Sequence, residues 1–87
     1  MPELDTLLVL GFEGAKWTVY TKIFGVDVRC MFDADDLGSN LYEDIATEFN
    51  IDDFYLVSHG KKMYPEMTIG DYMTDGDWFH VNKRQRG

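Results

Sequence analysis

An α+β domain, with one helix packed across a mixed sheet, is the fold that the sequence predicts. Two alternating runs, Trp17–Ile23 and Val26–Phe32, stand only Phe24-Gly25 apart. One amphipathic segment follows, Ser39–Asn50, and it is the one convincing helix in the chain. A short apolar run at Phe54–Ser58, a stub ending at Met63 and a last alternating run at Trp78–Asn82 complete the order. A hairpin, then a helix, then further strands leaves a single helix to cover the sheet.

Each element has its own reason. In the first run Trp17, Val19, Thr21 and Ile23 alternate with Thr18, Tyr20 and Lys22, the period of a half-buried strand. Val26, Val28, Cys30 and Phe32 alternate in the same way with Asp27, Arg29 and Met31. The short break between the runs predicts a tight hairpin, with Gly25 free to take positive φ. Ser39 or Asn40 is expected to cap the helix, and Glu43 three residues after Asn40 suggests a capping box. Leu41, Ile45 and Phe49 make its apolar stripe, with Asp44, Thr47 and Glu48 pointing elsewhere. In the second half Leu56 is expected inward, His59-Gly60-Lys61 to turn the chain, and Met63 to return to the core. Pro65 suits an edge or loop. Thr68 is expected to cap a short turn, with Asp71 returning a bond to its amide and Ile69 plugging the core. The Tyr72 hydroxyl is expected to reach a backbone group. The final run sends Phe79 and Val81 inward and Trp78, His80 and Asn82 outward.

With 87 residues, the chain has room for one domain. Residues 1–16 read as an N-terminal extension and 17–87 as the domain. Leu7–Leu10 and then Gly11–Gly14 look like a strand and a turn. An added strand must use a sheet edge, most simply beside Val26–Phe32, or pair with another molecule. The formal charge of −8 argues against nucleic acid as the main ligand. The acidic residues between Asp33 and Asp53 read first as a solvated helix face and its flanks, and second as a docking surface for a basic partner. Lys83, Arg84 and Arg86 form a basic tail, for which RNA contact is a lesser reading. No apolar run approaches the roughly 20 residues of a membrane helix, and the N-terminus lacks the features of a secretory signal. With Cys30 as the sole cysteine, the expected location is intracellular, cytoplasmic or nuclear.

Catalysis finds little support. Cys30 sits in phase with buried positions, so it reads as a small core residue rather than a nucleophile. His59 and His80 have no metal-ligand spacing. The acidic run Asp33–Gly38 lacks a calcium loop, and Gly11–Gly14 is no phosphate loop. Neither metal nor cofactor is expected.

From Leu56 onward the chain resembles the ubiquitin-like family. The residues that carry the likeness are Leu56-Val57-Ser58-His59-Gly60-Lys61-Lys62-Met63, Thr68-Ile69-Gly70-Asp71-Tyr72, Phe79-His80-Val81 and Arg84-Gln85-Arg86-Gly87. They keep the family's order and nearly its spacing, and the resemblance extends more weakly back to Trp17. It implies a β-grasp fold without catalysis, whose open sheet face recognises a protein partner. Val57 and His80 stand at that face's isoleucine and histidine positions. Asn82 replaces a valine there and Tyr55 an arginine, which implies altered specificity. Tyr55, Val57, Trp78, His80 and Asn82 are thus the expected protein-binding residues, with Lys61 at the family's turn lysine. Arg84, Arg86 and Gly87 match the family's tail, although conjugated members end in two glycines. A protein-interaction domain is the expected function. The alternative is a modifier or precursor, cut or joined at its C-terminal glycine.

Overall fold

The structure, a computed structural model, describes residues 8–83. Arg84, Arg86 and Gly87, and the start of the N-terminal extension, lie outside the described residues. Within them the chain is an α+β domain: a mixed three-stranded sheet, one helix and a second small sheet.

Strands β2 (Trp17–Ile23) and β3 (Val26–Phe32) form the expected hairpin, with Ile23 opposite Val26. Phe24 and Gly25 make the turn at φ of 51° and 77°. That left-handed pair matches the twist of the flanking strands. The Phe24 ring meets Phe49 edge-on at 6.1 Å. Strand β1 (Leu8–Gly11) lies parallel to β3, from Leu8 opposite Val28 to Gly11 opposite Met31. The extension therefore docks at the edge that the sequence favours. It buries Leu10 and leaves Val9 exposed.

Helix α1 (Gly38–Phe49) lays Leu41 and Ile45, both fully buried, on the inner faces of the sheets. Each such side chain contributes about 1.5–3 kcal/mol through removal from water. The helix start differs from expectation. Its N-cap is Leu37, with no side-chain hydrogen bond, so neither Ser39 nor an Asn40–Glu43 capping box performs that role. Instead the Gly38 and Ser39 amides donate to the Met67 and Pro65 carbonyls at 2.7 and 2.8 Å. A distant loop satisfies donors that a side chain usually takes. The approach is close enough that a Cβ on Gly38 would stand 3.0 Å from the Tyr64 carbonyl oxygen.

The second sheet has β4 (Phe54–Ser58) between β5 (Lys61–Met63) and β6 (His80–Lys83), all antiparallel. The final strand begins at His80 rather than Trp78 because the preceding residues bond to β2 instead. Tyr20 donates to the Asp77 carbonyl at 2.9 Å, and Phe79 donates to the Tyr20 carbonyl at 2.9 Å. The buried Thr21 hydroxyl adds a bond to the Phe79 carbonyl at 2.7 Å. This parallel bridge sets β2 beside the last strand and joins the two sheets at the centre.

The corner after β5 forms as expected. Asp71 Oδ2 accepts from the Thr68 amide at 3.1 Å and the Thr68 hydroxyl at 2.9 Å, while Ile69 is buried. The expected tyrosine bond is made by another residue. Tyr72 packs half-buried against the core. It is the Tyr42 hydroxyl that donates to the Met63 carbonyl at 2.6 Å and accepts from the Leu56 amide at 3.0 Å. That pair of bonds ties α1 to β4 and β5. Among the described residues no helix is long and apolar enough to cross a membrane.

Candidate functional site

The helix covers one face of the sheets, and the opposite face is open. Its residues follow from the pleat: the positions of β4 and β6 that alternate with buried Phe54, Leu56 and Ser58 and with core-packed Val81 point away from α1. Tyr55 lies opposite Asn82, and Val57 opposite His80. These outward pairs meet the expectation that the four residues share one face. Tyr55 and Val57 are half-buried, whereas His80 and Asn82 are exposed.

Trp78 is 54% exposed and stacks on Tyr20, with ring centroids 5.4 Å apart and planes at 29°. The indole stays in the open rather than folding over a loop. Its backbone is fixed on both sides by the bonds to Tyr20 described above. Two aspartates tighten the approach. Asp75 Oδ1 accepts from the Thr18 amide at 2.7 Å. Asp77 Oδ2 accepts from the Thr74 amide at 2.9 Å and from His59 Nε2 at 2.8 Å. Those bonds, led by His59, hold the Asp77 carboxyl below the usual carboxylate range.

Lys61 falls elsewhere. The turn consists of His59 and Gly60, so Lys61 joins the ladder opposite the buried Ser58 and lies on the helix side of the sheet. Lys62, opposite Val57, takes the place on the open face. Its ammonium lies 5.1 Å from the Tyr55 ring centroid and 5.7 Å from that of Tyr64, within cation–π range. Sequence reasoning therefore missed Lys62, Tyr64 and Tyr20 as members of this surface. The alternation in β2 could have found Tyr20, which was already out of phase with the core.

The reactive groups are dispersed. Cys30 is fully buried, and burial, reinforced by the charge of Asp44, pushes its thiol up to about 12. His59 occupies a turn at φ 54° and bonds Asp77, while His80 lies on the open face. Among the described residues no group of three or more His, Cys, Asp or Glu side chains could hold a metal ion. Several acids between Asp33 and Asp53 serve the backbone. Asp33 Oδ1 accepts from the Lys16 amide at 2.6 Å, and Asp36 Oδ2 from the Asp33 amide at 2.8 Å. On α1 the Asp44 carboxyl is pushed up by burial and then by Glu43, opposed by the Gly11 amide.

No protein-family model matches the chain, and no curated protein is similar to it in sequence.

Proposed function

We propose that this chain is a non-catalytic, ubiquitin-like interaction domain of the β-grasp type. It docks a protein partner on the open face of its sheets. The order hairpin, helix, short antiparallel strands supports the fold reading, as does the parallel juncture of β2 with the last strand. The observation that carries the functional reading is the exposed Trp78 ring, fixed on Tyr20 beside Val57 and His80. A rigid aromatic ring held in water has little freedom left to lose on binding, which is the property of an interface anchor. The buried, raised thiol of Cys30 supports a role without nucleophilic catalysis.

The test is capture of partners from a lysate by the wild-type chain and by a Val57→Ala, Trp78→Ala double variant, with folding checked by circular dichroism. Loss of the captured protein with the fold retained is the expected result. Equal capture by both chains would move the interface off this face.

A further inference from the structure

We infer that Arg29 makes the open face selective for a protein segment in which carboxylates stand beside apolar side chains. This rests on the docking reading above and adds the chemistry of the partner. The register places Val9 opposite Arg29, Arg29 opposite Tyr20, and Tyr20 against Trp78. These four residues therefore form one row across β1, β3, β2 and the segment leading into β6. The row runs away from the Val57–His80 pair and onto the first sheet, where the exposed Val9 closes its far end.

Arg29 is the charged member of that row, and no acidic side chain among the described residues answers it. It is half-buried, and its Nε is buried without a hydrogen-bond partner. No ion pair involves it among the described residues, in a sequence with 16 acidic side chains and only 8 lysines and arginines. The acid nearest in register on the same face, Asp27, is taken by Lys22 at 3.4 Å. Helix α1, which carries Glu43, Asp44 and Glu48, packs on the other side of the sheet. The open face thus carries Arg29 and Lys62 beside aromatic rings, while the molecule as a whole is formally −8.

That segregation selects the partner. A guanidinium half-sunk between apolar neighbours has little water of its own, so a carboxylate gains more there than at an exposed lysine. Tyr20 and Trp78 next to it offer a flat shelf for an apolar side chain. Nucleic acid also presents anions, but the acidic remainder of the chain repels a long phosphate backbone, whereas a short acidic peptide meets only the face.

The experiment titrates the full, isotope-labelled chain by NMR at low salt with three probes. These are a peptide of alternating glutamate and leucine, the same peptide with glutamine for glutamate, and oligouridylate. The glutamate peptide is expected to bind about tenfold tighter than its glutamine counterpart, moving the amides of Val9, Tyr20, Arg29 and Trp78. Arg29→Gln should abolish that preference and Arg29→Lys should restore part of it. Trp78→Ala should weaken both peptides alike. Equal binding of the two peptides, unchanged by Arg29→Gln, would overturn the carboxylate preference and leave the docking face standing. Binding of oligouridylate in place of the peptides would remove both readings. No response to the glutamate peptide at millimolar concentration would also overturn the inference.

Discussion

Trp78 and Phe79 are chain neighbours with opposite fates: the indole is 54% exposed and the phenyl ring 1% exposed. The bonds that Tyr20 exchanges with Asp77 and Phe79 enforce this split, because they hold the segment extended and send successive side chains to opposite faces.

Truncation of these two neighbours should therefore separate stability from binding. Trp78→Ala loses mainly its stacking on Tyr20, about 0.5–1.5 kcal/mol. Phe79→Ala opens a cavity in the core and should cost about 3–5 kcal/mol. Urea unfolding of the two variants checks the difference, and similar losses would mean that Trp78 is a core residue.

Tyr42→Phe should destabilise by about 1–3 kcal/mol although only an oxygen is removed. It leaves the Leu56 amide without its acceptor and the Met63 carbonyl without its donor. Faster hydrogen exchange at the Leu56 amide than elsewhere in β4 is the specific sign.

Gly11→Ala should release the end of β1. The residue has φ of +95°, and a Cβ there would stand 2.1 Å from the Met31 carbonyl oxygen. Backbone must move, at a cost of roughly 1–3 kcal/mol. Gly14→Ala shares a positive φ but meets no atom within 4 Å, so it should be the milder change. Exchange protection of the Leu10 amide reports the undocking, and equal protection in both variants would refute it.

Cys30 predicts an alkaline limit. Its folded pKa of about 12 exceeds the ordinary thiol value of 9.0, so the native state keeps the proton longer than the unfolded chain. Stability should fall as pH rises from 9.0 towards about 12, and this part of the fall should vanish in Cys30→Ala. Iodoacetamide should label the native thiol only as fast as the protein opens. Rapid labelling at neutral pH would contradict its burial.

The strand runs were legible because their alternation is local: β2, β3 and β4 occupy the residues at which the pattern starts and stops. Position 25 and position 60, both glycine, announced the two hairpin turns. The helix cap was hidden because its acceptors, Pro65 and Met67, come from a loop more than a helix length further along the chain. Lys61 left the turn for the ladder because the turn is only two residues long, and the pleat that carries Met63 into the core then sets Lys61 on the helix side and Lys62 on the open face. The two-residue hairpin turn already sets Tyr20 opposite Arg29, but the ends of that row, Val9 and Trp78, depend on the register between strands that are not neighbours in sequence. Tyr42 lies outside the Leu41, Ile45 and Phe49 stripe, and its hydroxyl bonds reach strands that follow the helix in the chain, so no local pattern points to them.

The juncture of β2 with the segment before β6 also sets an order of events. The Thr21–Phe79 bond spans 58 residues, whereas each hairpin closes over two. Loop closure over that distance has a high entropic cost, so both hairpins and α1 should form before the chain ends meet. The aromatic face is then assembled last, and a nascent or clipped chain lacking its final strand would present half a surface and no anchor.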